Sequence, residues 1–449
     1  MQEYRSILWL VAMGFFMQQL DSTIINTALP NIAKSLHENP LNMQSVIVAY
    51  VLAMAVTIPA SGWIADKYGL RKTYFFAIVL FSVASIGCAL SQNLTQLIVA
   101  RVFQGIGGAL LQPVGRLTLL KVMPKTQLLA ALSFVSIPGL IGPLIGPSLG
   151  GLFVEYTSWH WIFLMNVPIG LVGAFFTLKI LPDLKLEQFK PFDFVGFLFV
   201  AVSMVSLLFV LDHLSVHTYS HIVLLIVAIV SLGSALAYYL HSKYTKYPLF
   251  ATHIFKINSL SIGLLGNLFS RLGNIAIPFL LTLMLQLTLG LKPSSAGLMI
   301  IPLVLGVMSI KRFISPLVKK FGYKNVLVTN TILVGFGIAS FSLISTHTPL
   351  WWQAIHFFLF GIFNSIQFTA MNTVTIKDLN PEDAGSGNSM LSVTQQLAMS
   401  ISIASASAFI NKFSQSYDVL SAFHYTFLCL GALTICSSLI FAQLKKATS

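Results

Sequence analysis

The side chains of this chain that could do chemistry are few, and several sit where a membrane makes them costly. The stretch GFFMQQLDSTIINTALP, Gly14–Pro30, is apolar on both sides and holds one acid, Asp21, near its middle. A charge at such a depth costs about 2.5–3.5 kcal/mol on insertion scales, so it should face a partner or a cavity. Of the thirteen acidic residues, Asp21 is the one that reads as well inside an apolar run; the basic residues so placed are Arg101, Arg116 and Arg271. Gln104 and Gly108 follow Arg101 at helical spacing, a narrow polar stripe directed toward a cavity. An acid matched to an arginine supports two chemistries. One is a carboxylate that exchanges a proton for pairing or substrate recognition, and the other is a static ion pair tying two helices. Asn26, on the Asp21 segment, completes a candidate proton-coupling and cavity group of Asp21, Arg101, Gln104 and Asn26.

Arg271 raises a different chemistry. Asn267 and Asn274 flank it at i−4 and i+3, so one helical face offers a cation and two amides. A guanidinium binds a carboxylate through two parallel hydrogen bonds, which makes Arg271, Asn267, Asn274 and Arg116 substrate-binding candidates. The competing reading is that Arg271 only bonds backbone carbonyls between helices.

Two glycine-bearing motifs suggest moving parts. In GWIADKYGLRK, Gly62 permits close helix approach and Asp66 can accept from backbone N–H groups or cations at a neighbouring helix end. Gly69 lies at the turn, and Arg71 and Lys72 suit headgroup contact. Together these five residues read as a cytoplasmic gate, against the plainer reading that the charges only set topology. In GLIGPLIGPSLGG, Gly142, Gly146 and Gly150 recur every four residues and Pro143 and Pro147 interrupt the hydrogen-bond ladder, a helix that packs tightly and bends.

The elements that must hold these residues follow from composition. The chain is 56% hydrophobic and 9% charged over 449 residues, with a mean hydropathy of +0.84; these values place it among integral membrane proteins. A span needs roughly 20 apolar residues. Segments of that kind, bounded by charge, Pro, Gly or Asn clusters, number about fourteen, at about 7–28, 43–65, 73–91, 95–120, 127–154, 161–181, 193–212, 220–241, 259–286, 294–315, 325–345, 350–376, 385–411 and 424–444. The N-terminal segment lacks a basic n-region and a small-residue cleavage site, so it is expected to stay as a span. Lys and Arg gather in alternate loops, around Lys67–Lys72, Lys121–Lys125, Lys243–Lys256 and Lys311–Lys324, whereas the opposite loops hold Lys34, Lys292 and Lys412. Both termini are therefore expected in the cytoplasm, and the net charge of +13 reads as a topology signal and a contact with anionic lipids, not as a nucleic-acid footprint. At ~1.5 Å per residue, Asp21 and Arg101 each lie roughly 10 Å from the outer ends of their helices, and Arg271 roughly 18 Å deep.

The chain also repeats itself. SGWIADKYGLRK, Ser61–Lys72, and ISPLVKKFGYKN, Ile314–Asn325, both end one apolar run and begin the next with aromatic-Gly-x-basic. The resulting division is an N-terminal six-helix bundle over 1–182, a linker with an inserted two-helix hairpin over 183–256, and a C-terminal six-helix bundle over 257–449. The second copy has Lys319 where the first has Asp66.

The motifs, taken together, resemble the major facilitator superfamily in its fourteen-span drug:proton antiporter branch, the EmrB/QacA-like exporters. LDSTIINTALP is similar to the first-helix signature of that branch, GWIADKYGLRK to its cytoplasmic loop motif, RVFQGIGGAL to its fourth-helix motif and GLIGPLIGPSLGG to its antiporter helix. The resemblance implies an all-α polytopic fold of two six-helix bundles plus a hairpin, and a proton-coupled alternating-access exporter in a bacterial inner membrane. It further implies protons, a small-molecule substrate and membrane lipids as partners, with multidrug efflux as the expected type. Export of organic anions, such as carboxylates or siderophores, is the alternative that Arg271 raises. A periplasmic adaptor with an outer-membrane channel is a further partner class open to such an exporter, without a signal in this sequence.

Other classes fare worse. QGIGGAL lies inside an apolar helix and not after a strand, which removes the dinucleotide-loop reading, and no Lys-Ser/Thr phosphate loop is present. Cys88, Cys429 and Cys436 lack paired or metal-type spacing, so no cofactor or metal is expected. His160 lies between Trp159 and Trp161 and suits an interfacial anchor. An intramembrane enzyme would need a His/Asp/Glu cluster, and a sensor would need a soluble output domain; neither is apparent.

Overall fold

The computed structural model describes residues 4–25, 28–38, 43–184, 191–213, 220–250, 252–291, 293–380 and 382–444, and every regular element among them is helical. Hydrocarbon offers the backbone no hydrogen-bond partner, so an apolar chain closes its own N–H and C=O groups within helices. The first half lays down α1 (Arg5–Ile24), α2 (Leu29–Ser35), α3 (Gln44–Thr57), α4 (Ser61–Tyr68), α5 (Leu70–Ala89), α6 (Leu94–Val122), α7 (Lys125–Tyr156), α8 (His160–Leu164) and α9 (Asn166–Ile180). The expected middle hairpin is α10 (Phe194–His213) and α11 (His221–Tyr244). The chain continues through α12 (Asn258–Asn274), α13 (Ile277–Leu287), α14 (Pro293–Leu298), α15 (Ile301–Ser309), α16 (Lys311–Ser340), α17 (Leu350–Ile376), α18 (Ala384–Ser414) and α19 (Val419–Phe441).

Among the described residues, twelve stretches are long and apolar enough to cross a membrane, some joining consecutive helices, as Ser45–Tyr68 and Asn258–Leu287 do. The other two expected spans fall on α7, which has 32 residues, and on α14–α15. That second segment is broken because Pro302, which has no N–H to give, opens α15 and the chain turns again at Ile310 before α16. The helices of the hairpin present apolar side chains outward, among them Leu198, Ile222, Leu225, Ile229 and Leu232, as a lipid-facing surface requires.

The chain divides into two compact units: Met1–Ala201 with Tyr244–Phe250 and Pro381–Ser392, and Val202–Lys243 with Ala251–Asn380 and Val393–Ser449. Each unit repeats the same packing. In the first, α6 packs on α1, α3 and α5, and α9 packs on α1 and α5; in the second, α17 packs on α12, α15 and α16, and α19 packs on α12 and α16. The close crossings repeat too. Gly105 of α6 lies against the backbone of Tyr50, and Gly361 of α17 lies against the backbone of Leu303.

The sequence repeat has its own backbone signature. Gly69, between α4 and α5, has φ 88° and ψ 153°, and Gly322, inside α16, has φ 75° and ψ 157°. Only glycine adopts that region readily, so the aromatic-Gly-x-basic motif is the same sharp turn in both units.

Candidate functional site

Asp21 lies near the C-terminal end of α1, where α6, α7 and α9 all pack against it. Its carboxylate accepts three N–H donors: Arg101 Nη1 on Oδ2 at 2.7 Å, and Gln104 Nε2 at 2.9 Å and Asn166 Nδ2 at 3.0 Å on Oδ1. Arg101 Nη1 also donates to Gln104 Oε1 at 2.7 Å and its Nε to the Val46 carbonyl at 3.4 Å. The guanidinium lies over the Tyr50 ring, 4.1 Å from its centroid. Ser85 Oγ accepts from Gln104 at 2.8 Å, and Cys88 Sγ donates to Gln104 Oε1 at 3.5 Å. All three contacts use the carboxylate oxygens as acceptors.

The structure pairs Asp21 with Arg101 and adds Gln104 to the carboxylate, and all three side chains are enclosed. Asp21 is 1% exposed and Arg101 and Gln104 are 0% exposed. Tyr50 and Phe163 cover the guanidinium, and Gly108 lies beneath the Tyr50 and Phe81 rings, so the polar stripe of α6 is packed inside the first unit. Asn26 lies outside the described residues.

Asn166, Ser85 and Tyr50 join this site without being site candidates by sequence, and Cys88, which lacks metal or disulfide spacing, joins it as a thiol donor. For Asn166 a signal exists: it is a polar residue in the apolar run FLMNVPIG, two positions before Pro168. A proline is tolerated in the first turn of a helix, which suits a new start at Asn166 and leaves its amide at the mouth of α9. Ser85 and Cys88 lie one turn apart on α5, but serines and cysteines are common packing residues in spans. Tyr50 reads as an ordinary apolar-face aromatic.

The glycine row of α7 meets the same helix. Gly139 lies against Phe15, Gly142 against Gln19 and Leu20, and Gly146 against Thr23 and Ile24 of α1, so these glycines flank Asp21 along the chain. A Cβ at Gly142 would come within 2.9 Å of the Leu20 nitrogen. Gly150 is buried on the same helix, and α7 runs unbroken through Pro143 and Pro147. Two sequence motifs that read as separate are one helix pair.

Of the residues expected to form a gate, Gly62 and Asp66 lie in a second polar cluster of this unit. Asp66 Oδ1 accepts from Lys121 Nζ at 2.6 Å. Gly62 N–H donates to Ser389 Oγ at 2.9 Å, Ser61 Oγ lies 3.0 Å from the same hydroxyl, and a Cβ at Gly62 would stand 2.5 Å from the Gly385 carbonyl. Arg116, 2% exposed, donates to Asn388 Oδ1 at 3.3 Å and Ser392 Oγ at 3.4 Å. It therefore belongs with the start of α18 and the gate rather than with Arg271. Arg71 turns away from solvent, its Nε donating to the Leu181 carbonyl at 2.6 Å, while Lys72 is exposed.

In the second unit Arg271 is 6% exposed. Its Nε donates to Asn267 Oδ1 at 3.1 Å, its Nη2 to Asn372 Oδ1 at 3.2 Å, and it lies over the Phe368 ring at 4.7 Å. Gln395 Nε2 donates to the same Asn372 oxygen at 2.9 Å. Asn274 is not part of this cluster; it donates to Asn364 Oδ1 at 2.7 Å.

A family model described as the Major Facilitator Superfamily matches residues 11–273 and 263–448. The chain is 45% identical to the multidrug-resistance-named protein MdtD of Salmonella heidelberg (strain SL476), covering 98% of this chain and 95% of that one. It is 44% identical to its namesake in Serratia proteamaculans (strain 568), covering 98% and 94%. Among solved structures it is similar to the proton:xylose symporter XylE bound to 6-bromo-6-deoxy-D-glucose, with a TM-score of 0.68 at 14% identity over 98% of this chain and 95% of that one. It is also similar to the human organic anion transporter MFSD10, with a TM-score of 0.66 at 14% identity over 97% and 99%. The structural likeness is one of fold, and the family is one of transporters rather than enzymes. By family match, by sequence over nearly its full length and by fold, this chain belongs to the Major Facilitator Superfamily.

Proposed function

We propose that the chain is a proton-coupled secondary transporter that exports small molecules from the cytoplasm by alternating access, of the multidrug efflux type that the name of its MdtD relatives describes. The observation that carries this reading is the buried Asp21–Arg101 pair at 2.7 Å. A buried carboxylate held only by hydrogen-bonding donors gives the protein a single group whose protonation releases an arginine and two amides at once. Helices α1 and α6 would then be free to rearrange, with the α7 glycine row allowing α1 to slide at short distance. The gate around Gly62 and Asp66 belongs to one state and opens in the other. The moving parts in this reading are the sequence bundles 1–182 and 257–449, joined through 183–256, in a bacterial inner membrane with both termini in the cytoplasm.

The test is purified protein in liposomes under an imposed proton gradient, with a lipophilic dye as substrate. Gradient-dependent flux in wild type, absent in Asp21→Asn, supports the reading; undiminished proton-driven flux in Asp21→Asn removes Asp21 from it. Export of organic anions is a second reading, favoured by Arg271. Amide oxygens are weaker acceptors for a guanidinium than a carboxylate, so an incoming organic acid could displace Asn267 and Asn372 and take two parallel bonds.

A further inference from the structure

The two amides on Asp21 are not equivalent. Gln104 is engaged at both ends: its Oε1 accepts from Arg101 and Cys88, and its Nε2 donates to Asp21 and Ser85. It sits one turn from Arg101 on α6 and moves with the arginine. Asn166 comes from a different helix, at the first residue of α9 after the break that ends α8. Its Nδ2 donates to Asp21 Oδ1 at 3.0 Å and to Ser85 Oγ at 3.5 Å. Its Oδ1 is buried and has no hydrogen-bond partner among the described residues. A buried, unsatisfied carbonyl is destabilising, so the amide at this position is explained by its N–H and not by its oxygen. What the amide supplies that leucine could not is the N–H on the carboxylate.

We infer that Asn166 is a positioning residue that sets the proton affinity of Asp21, holding the carboxylate in its ionised form as long as α9 stays against α1. The inference rests on the proton-coupling reading above and adds the element that controls it. A hydrogen bond to the charged form favours that form. When α9 withdraws, Oδ1 loses the donor from α9, and a hydronium ion gives it a proton, forming the O–H bond and leaving water, while Arg101 loses its anionic partner. The titratable groups facing the carboxylate are Arg101 from α6, Tyr50 from α3 and the Cys88 thiol from α5. From α7 and α9, the faces packed on α1 bring glycines and Asn166. Of the groups bonded to the carboxylate, Asn166 alone belongs to α9, so it is the link through which a shift of that helix reaches the proton.

The experiment measures proton-driven export against pH in liposomes for wild type, Asn166→Leu, Asn166→Gln and Asp21→Asn, alongside thermal unfolding in detergent. Asn166→Leu should move the half-maximal point to higher pH by about one unit, tenfold in proton concentration, in a protein that still unfolds cooperatively. Asn166→Gln, which restores a donor, should return the profile toward wild type. A profile for Asn166→Leu that overlays wild type, in a protein whose coupling Asp21→Asn abolishes, overturns the inference and leaves the coupling reading standing. Coupling that survives Asp21→Asn overturns both. If leucine disturbs packing, Asn166→Ala gives the same reading; loss of the fold in both variants would make Asn166 a structural residue and also overturn the inference.

Discussion

Each unit buries one guanidinium over an aromatic ring, and the two are answered differently. Arg101 lies over Tyr50 and meets the carboxylate of Asp21, whereas Arg271 lies over Phe368 and meets the amide oxygens of Asn267 and Asn372. A carboxylate can be neutralised by a proton, and an amide cannot within any physiological pH. The first unit therefore has a partner that a proton can neutralise, whereas Asn267 and Asn372, the two amides that accept from the second guanidinium, keep their charge state. On the proposed reading, one scaffold, repeated, would serve proton coupling in one copy and recognition in the other.

The sharpest way to break this comparison is Asp21→Asn, which converts the first site into an amide-held arginine like the second. Proton-driven uphill export should fall at least about 100-fold, roughly 2.7 kcal/mol in coupling, with membrane insertion intact; liposome flux under a gradient checks it. Arg101→Ala should cost more in stability than in shape. Removing one member of a buried pair typically costs about 3–5 kcal/mol because the other charge is left without its counter-ion. A large fall in unfolding temperature in detergent is the expected outcome, and an unchanged value would mean that Gln104 and Asn166 alone suffice for the carboxylate.

Backbone strain should treat the units alike. Gly69→Ala and Gly322→Ala each force a Cβ into a glycine region, at a cost of about 1–3 kcal/mol, so both should lower the unfolding temperature by similar amounts. If only one does, the shared turn is not a shared structural requirement. Arg271→Lys keeps the charge and loses the two-pronged geometry. On the organic-anion reading it should weaken export of a small organic acid about tenfold, roughly 1.4 kcal/mol, and leave a lipophilic cation untouched; robust cation export with no organic-acid export in any variant returns the protein to the multidrug class.

The smallest expected effects concern the gate. Lys121, in the last turn of α6, pairs with Asp66, while Lys377, just past the end of α17, pairs with its own neighbour Asp378 at 3.1 Å. Position 319, which matches Asp66 in the repeat, is a lysine. Asp66→Ala should raise labelling of cysteines placed on the cytoplasmic side of the cavity and lower turnover, by an amount equivalent to about 0.2–1 kcal/mol. Lys377→Ala should do nothing measurable to either, because its pair is exposed and local. Equal labelling in both variants would argue against a gate at Asp66.

Sequence alone determined whatever depends on local composition and spacing: the apolar runs that must become helices, the repeat of two units, the glycine turn at Gly69 and Gly322, and the isolation of Asp21. Hydropathy and the glycine-only backbone region act on a few neighbouring residues, so they are readable in one dimension. Depth counting also brought Arg101 to the level of Asp21, because rise per residue is a property of the helix itself. Only the tertiary structure decided what surrounds them. Which way α9 faces put Asn166 on the carboxylate, and the packing of α3 and α5 brought Tyr50, Ser85 and Cys88 there; helix rotation depends on every contact of the bundle and leaves no mark at a single position. The same cause sent Arg116 to Asn388 and Ser392, parted Asn274 from Arg271, and seated the α7 glycines against Phe15, Leu20 and Thr23 of α1, since a helix face acquires a meaning only when its neighbour is in place.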